Sequence, residues 1–210
     1  MSKTILSPQE IREGWRLLFD GCTLNGWTTR LPEHSWSVND DGTLLCRPGK
    51  GQYLYTEESF SDFVLSIDFR IDPGVNSGVF LRLSDMDDPI NTALEIQILD
   101  SFGEEQTKKD SCGAIYDLVA PRVQACKPAG EWNNMLLTCD GPQVSVVLNE
   151  EPVAEMNLDL WTNPGKNPDG TANKYTYAWK DVPRRGRIML QDYGSNKGLL
   201  WFRNIKLKGL

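Results

Sequence analysis

Apolar and polar residues alternate along most of the chain beyond residue 60. In the segment 62–71 the apolar side chains occupy every second position, and Ser66, Asp68 and Arg70 fall between them. A period of two is typical of a β-strand with one face in a core. The same pattern predicts further strands at 78–83, 93–100, 132–139, 143–148, 152–158, 187–191 and 200–208.

Turn and helix signals complete this pattern. Asp140-Gly141 and Asn149-Glu150 separate neighbouring strands, as turn residues do in antiparallel hairpins. Near the start, Ser7 precedes a proline and Glu10 follows three residues later, which predicts a helix leading into 11–13. A chain of 210 residues suits one domain. We therefore predict an all-β antiparallel sandwich over 14–210 with a helical extension at 1–13.

The segment 163–185 is the exception to the strand pattern. It contains Asn-Pro-Gly and Asn-Pro-Asp-Gly turns together with Tyr175, Tyr177 and Trp179. A loop of this length without regular structure usually serves in binding or as a lid, and we predict such a role here.

The net charge of −7 argues against a nucleic-acid-binding surface, which needs clustered basic residues. The basic pairs Lys108-Lys109 and Arg184-Arg185 are expected to be solvated loop charges. An apolar run long enough to cross a membrane is absent, and the first twenty residues lack a signal-peptide pattern. We expect no membrane partner and a cytoplasmic location as the sequence stands, or a periplasmic or secreted one if a leader has been removed.

Five cysteines, without a C-x-x-C spacing, predict free and mostly buried thiols. The lone histidine, His34, lies in a polar stretch and is expected to be a loop residue. We therefore predict no cofactor and no metal site. Calcium, which binds carboxylate and carbonyl oxygens, stays an open alternative without a supporting motif.

Candidate chemistry lies on the polar positions of the predicted strands. Glu95 and Gln97 share one face of their strand, and Arg82 has the matching parity on the strand before. With Asp68 and Arg70, these residues could form a single polar sheet face. Glucanases that use double displacement need two carboxylates about 5 Å apart, but the second position here is an amide. The sequence thus favours one base, Glu95; the alternative is that Glu95 merely neutralises Arg82.

Other candidates carry weaker signals. Asn76 belongs to Asn-Ser-Gly, whose simplest role is a turn before a strand, although its amide could also contact a sugar. Tyr116 suits a stacking ring, a proton donor or a core residue. At least two of Trp132, Trp179 and Trp201 are expected to be core residues rather than sugar platforms.

Read in order, these segments resemble the 3-keto-disaccharide hydrolase family, long described only as a domain of unknown function. The resemblance covers roughly residues 14–208. The motifs that carry it include Trp15 to Gly21, Leu24 to Trp27, Pro73 to Gly78, Glu95 to Asp100, Gly113 to Tyr116, Glu131 to Asn133, Lys166 to Gly170, Asn173 to Tyr175, Leu190 to Asp192 and Phe202 to Ile205.

This resemblance implies a concanavalin A-like jelly-roll sandwich and activity on glycosides oxidised at C3. A C3 ketone acidifies the C2 proton, so one carboxylate can start an elimination that water addition turns into net hydrolysis. We assign Glu95 as the base and Arg82 as the group that orients it or stabilises the enolate. The predicted substrate contacts are Asn76, Gln97, Tyr116, Lys174 and Gln191.

One position departs from the family pattern. Many members carry His after the Gln-Asp pair, where this chain has Tyr193. If that imidazole is catalytic, this chain must use another acid, accept another substrate or lack activity. The competing interpretations are a lectin-like module that binds carbohydrate without turnover, and an interaction domain in which Arg82, Glu95 and Gln97 form a closed network with no cleft.

Overall fold

The structure is a computed structural model that describes residues 4–31, 33, 35–49, 51–195 and 197–210. Two antiparallel sheets pack face to face, which confirms the predicted sandwich. The described strands are β1 (Arg16–Leu17), β2 (Trp27–Thr28), β3 (Trp36–Val38), β4 (Leu44–Cys46), β5 (Tyr53–Thr56), β6 (Phe63–Ile71), β7 (Asn76–Leu83), β8 (Leu94–Leu99), β9 (Asn133–Asp140), β10 (Gln143–Leu148), β11 (Glu151–Asn157), β12 (Arg187–Gln191) and β13 (Leu200–Gly209).

The larger sheet has the order β11-β10-β9-β6-β13-β4-β3, and β1 pairs with β13 at its side. The smaller sheet has the order β2-β5-β12-β7-β8. Their inner faces supply one continuous core, to which β6 contributes Phe63, Leu65, Ile67 and Phe69. Strands β10 and β12 have the predicted bounds, and the other predicted strands end within one or two residues of the observed ends. The five strands before residue 60 escaped prediction because two to four residues are too few to show a period.

Two short α-helices and two 3-10 helices, Leu158–Leu160 and Trp179–Asp181, accompany the sheets in the described part of the chain. Helix α1 (Pro8–Arg12) begins as predicted, because the Ser7 hydroxyl accepts a hydrogen bond from the Glu10 backbone and the Glu10 carboxylate accepts one from the Ser7 backbone. Helix α2 (Pro89–Thr92) directly precedes β8. None of the helices in the described ranges is long and apolar enough to cross a membrane. All five cysteines are free, and four of them are buried, as predicted.

Arg82 does not lie where the parity of β7 predicted. Leu83 pairs with Arg187 and Phe80 pairs with Met189, so two residues of β7 face a single residue of β12. Such a β-bulge inserts one extra residue, which here is Arg82 with a φ of 56°. The extra residue reverses the parity, so Leu83 joins Phe80 in the apolar cluster on the outer face and the Arg82 side chain turns away.

The bulge depends on a glycine on the neighbouring segment and on the hydrogen bonds of the Arg82 side chain. A Cβ atom at Gly186 would lie 2.3 Å from backbone atoms of Arg82 and Leu83, so only glycine fits there. The Arg82 guanidinium donates hydrogen bonds to the carbonyls of Ser61 and Gly141 and forms an ion pair of 2.8 Å with Asp62. Its side chain is only 3% exposed. Arg82 therefore links β7 of the smaller sheet to the segments beside β6 and β9 of the larger sheet through buried polar contacts.

Three further expectations are corrected. Asp68 and Arg70 lie on β6 in the larger sheet, so they do not share a face with Glu95. Asn76 begins β7 rather than forming a turn, and the turn comes earlier, where Gly74 has a φ of 73°. Of the three tryptophans, only Trp179 is buried; Trp132 and Trp201 are half-buried beneath the guanidinium of Arg70.

Candidate functional site

The outer face of the smaller sheet carries two polar side chains from β8. Glu95 pairs with Phe80 of β7, and Gln97 pairs with Gly78 two residues along. On the other side of β7, Gln191 of β12 pairs with Tyr53 of β5. Since residues two apart on a strand share a face, these side chains form neighbouring rows above the sheet.

Gly78 makes room for this arrangement. A Cβ atom at that position would lie 2.9 Å from Glu95 Oε1 and 3.0 Å from Glu95 Cγ. The missing side chain leaves a gap in the floor between the rows. A glycine in the interior of a strand usually marks such a close approach.

A pocket of about 330 Å³ opens above this floor, and we call it the Glu95 pocket. Its lining comes from four strands, helix α2, the loop after β8, the long loop before β12 and the segments that flank β5 and β12. The lining residues are Gly51, Tyr53, Asn76, Ile90, Glu95, Gln97, Tyr116, Lys174, Gln191, Asp192 and Tyr193. This volume lies at the lower end of the range for small-ligand sites.

Glu95 is the central ionisable group of the pocket. Its side chain is 8% exposed, and burial raises its pKa to about 7, against the opposing effect of the nearby Lys174 charge. Lys174 Nζ lies 3.8 Å from Glu95 Oε2. A carboxyl group with a pKa near neutrality can both accept and return a proton at physiological pH.

The long loop before β12 brings Lys174 into the pocket. Its backbone N–H donates to the carboxylate of Asp117, and its ammonium lies 3.9 Å from the centre of the Tyr116 ring. The next residue, Tyr175, is buried against Trp179 and donates its hydroxyl to the Tyr116 carbonyl. Burial lowers the pKa of Lys174, whereas the Glu95 charge raises it. This part of the predicted binding loop is therefore held against the site.

Two glutamine side chains at the floor of the Glu95 pocket each have an oxygen atom that accepts no hydrogen bond. The side-chain oxygens of Gln97 and Gln191 are buried and have no hydrogen-bond partner. Buried polar atoms are normally paired, so these oxygens suit donors from a ligand. The hydroxyls of a sugar are such donors.

The second carboxylate of the pocket is already engaged. One oxygen of Asp192 accepts hydrogen bonds from the Ser35 hydroxyl and the Gly51 backbone, and the other accepts from the Gly194 backbone. These bonds hold the segment after β12 against the loop before β5. Asp192 is thus occupied as a structural acceptor rather than exposed as a nucleophile.

The structure brings together six of the seven residues predicted for the site. Arg82 is the exception, because the bulge directs it to Asp62. The interpretation as a closed network of Arg82, Glu95 and Gln97 is therefore wrong: Glu95 faces Lys174 and an open pocket. The roles of the six residues stay predictions; they are Asn76, Glu95, Gln97, Tyr116, Lys174 and Gln191.

Sequence reasoning missed Tyr53 and Asp192 as lining residues. Tyr53 and Tyr55 alternate with Leu54, but a strand of four residues gives too weak a period to assign a face. Burial raises the pKa of Tyr53, and a hydrogen bond from Gln191 opposes that rise, so its phenol is protonated at neutral pH. Tyr193, at the family's histidine position, is half exposed at the rim.

Groups of three or more potential metal ligands do not occur within the described ranges. His34, predicted as a loop residue, lies outside the described residues. The expectation of no cofactor therefore stays a prediction.

Comparison with known proteins places this arrangement in a family. The family described as the 3-keto-alpha-glucoside-1,2-lyase-like domain matches residues 14–208. A 3-keto-disaccharide hydrolase of Bacteroides thetaiotaomicron is 28% identical over 94% of this chain and 79% of its own length. A Parabacteroides distasonis crystal structure, provisionally assigned as a glycosyl hydrolase, is 35% identical with a TM-score of 0.83, covering 93% of this chain and 99% of that one.

More distant structures resemble the fold alone. The carbohydrate-binding module CBM66 of Bacillus subtilis has a TM-score of 0.52 at 15% identity, covering 88% of this chain and 96% of the module. The jelly-roll sandwich is thus shared with proteins that bind carbohydrate, but fold alone does not fix function.

Proposed function

The chain belongs to the family of 3-keto-alpha-glucoside-1,2-lyase-like domains, whose function is glycosyl-hydrolase-like, and on that premise we propose that it cleaves 3-keto-glycosides by elimination and hydration. One observation carries the proposal: Glu95 is a buried carboxyl with a pKa of about 7, while Asp192, the other carboxyl of the pocket, already accepts three hydrogen bonds from the protein. A site with one available carboxylate suits proton abstraction better than double displacement.

The first step breaks the C2–H bond of the sugar. The Glu95 carboxylate takes the proton, and the electron pair moves to the C3 oxygen to form an enolate. The enolate then re-forms the C3 ketone, and the electrons make a C1–C2 double bond as the C1–O bond breaks. The leaving oxygen takes a proton, and addition of water across C1–C2 gives the net hydrolysis product. No covalent glycosyl-enzyme forms.

The Lys174 ammonium is the cation nearest to this base among the described residues, at 3.8 Å from Glu95 Oε2. In the proposal it takes the electrostatic role that the sequence assigned to Arg82, because a positive charge beside the reacting atoms favours the enolate. Gln97 and Gln191 accept hydrogen bonds from sugar hydroxyls through their unpaired oxygens. Tyr193 offers a phenol at the rim as a proton donor to the leaving oxygen.

The proposal needs neither a metal nor an organic cofactor for any step. The ketone itself makes the C2 proton acidic, and the protein supplies a base, a cation and donors. Following deuterium from C2 of a labelled 3-keto-glucoside tests this route, because elimination must break the C2–D bond whereas direct displacement at C1 leaves it intact.

Replacing Lys174 with Gln is expected to move the rising limb of the pH–rate profile to higher pH. The positive charge of Lys174 lowers the pKa of Glu95, so its removal raises that pKa and delays formation of the carboxylate base. The plateau should also fall, by about 10–100-fold, because the enolate loses its cation. The measurement is kcat/KM for a 3-keto-glucoside across pH.

Lys174→Arg is the matched control, since it keeps the charge and should leave the limb near its original pH. An unshifted limb in Lys174→Gln would contradict an electrostatic coupling between Lys174 and the catalytic base.

A further inference from the structure

A second cavity, of about 290 Å³, adjoins the Glu95 pocket. The two cavities share Gly51 and Tyr53 in their linings. Apolar side chains from three different segments form most of the remaining wall, so we call it the apolar cavity. These side chains are Leu31, Tyr55, Met86 and Pro89.

Arg30 and the Gln52 backbone of the apolar cavity form hydrogen bonds within the protein. The Arg30 guanidinium forms an ion pair with Asp87 and donates to the Met86 carbonyl. These bonds join the segment after β2 to the segment before α2, and they fix the outer wall. The Gln52 carbonyl accepts hydrogen bonds from the Trp36 indole and the Asp192 backbone.

We propose that the apolar cavity binds the leaving group of the substrate, and that this group is an apolar ring rather than a second sugar. The inference rests on the proposed function, because Glu95 must act at the sugar in the adjoining pocket. A pyranose would bring several hydroxyls against a wall formed mainly by the side chains of Leu31, Met86 and Pro89 and the ring of Tyr55, where hydroxyls lose hydrogen bonds to water.

The floor of the apolar cavity also favours an apolar leaving group. Tyr55, Phe80 and Met189 form a small apolar cluster on the outer face of the smaller sheet, and Met86 packs against it. Tyr53 contacts both Tyr55 and Phe80 edge-on, with ring centroids about 6 Å apart. A ring that leaves from C1 above Tyr53 would meet this apolar surface directly.

The test compares two substrates whose leaving groups have similar basicity: cyclohexyl and methyl 3-keto-glucosides of one anomeric configuration. The parent is expected to favour the cyclohexyl substrate at least tenfold in kcat/KM. Met86→Ala should reduce that ratio about tenfold, because truncation removes apolar contact with the ring but not with the sugar. Val123→Ala, a truncation outside both cavities, should leave the ratio unchanged.

A ratio near one in the parent, or an unchanged ratio in Met86→Ala, would overturn the inference. So would a 3-keto-disaccharide that binds more tightly than the cyclohexyl substrate, with a lower KM. If the parent cleaves none of these substrates, the proposed function fails instead, and the cavity is then judged by binding. Cyclohexanol should bind the parent about tenfold more tightly than Met86→Ala by ligand-observed NMR, and equal or absent binding would refute the cavity assignment by itself.

Discussion

Replacing Glu95 with Gln is expected to lower kcat/KM for a 3-keto-glucoside at least a hundredfold, which corresponds to about 2.7 kcal/mol of barrier. The amide keeps the shape of the side chain but cannot take the C2 proton. Because the carboxyl is buried and its pKa is raised to about 7, loss of the charge should not destabilise the fold. The measurement is release of a chromogenic leaving group, with thermal unfolding to confirm that the variant is folded.

Glu105→Gln provides the control, since Glu105 is exposed and lies outside the pocket. It should retain the parent rate. A folded Glu95→Gln variant that works at the parent rate would remove Glu95 from the mechanism. If neither the parent nor the variant releases product while sugar binding persists, the lectin-like module becomes the better account.

Arg82→Met is expected to lower the free energy of unfolding by about 2–3 kcal/mol while leaving kcat of the folded protein within a fewfold of the parent value. The truncation leaves the carbonyls of Ser61 and Gly141 without their donor. Asp62 is 42% exposed and can be hydrated again, so the cost stays below that of a fully buried pair. In a domain of this size the unfolding midpoint should fall by about 5–10 °C.

Arg122→Met is the matched control, because it removes the arginine of an exposed ion pair with Glu155. It should lower the free energy of unfolding by less than about 1 kcal/mol. A large loss of kcat in stable, folded Arg82→Met protein would contradict the structural role of Arg82 and favour the catalytic role predicted from the sequence.

The periodic part of the chain made its strands predictable. Glu95 and Gln97 share a strand, so their common face follows from the period of two alone. Helix α1 was equally accessible, because its capping box involves only neighbouring residues. These inferences need no knowledge of which strands pair.

The rest of the site depends on tertiary structure. The alternation in β7 gave no sign of the bulge at Arg82, because the space for it comes from Gly186, which is remote in sequence. Gln191 meets Tyr53 only through the register of β12 and β5. Lys174 reaches Glu95 because its loop is held by Asp117 and by buried Tyr175. Family resemblance, rather than periodicity, identified Lys174 and Gln191.

The fate of the C2 hydrogen tests the central claim most directly. A 3-keto-glucoside carrying deuterium at C2 is incubated with the parent protein, with Glu95→Gln and without protein, and the sugar product is examined for label. The account predicts that the parent loses the deuterium to water with every leaving group released, whereas the other two samples show only the slow background exchange. Release of the leaving group with the deuterium retained at C2, and at the same rate from labelled and unlabelled substrate, would contradict proton abstraction and require direct displacement at C1.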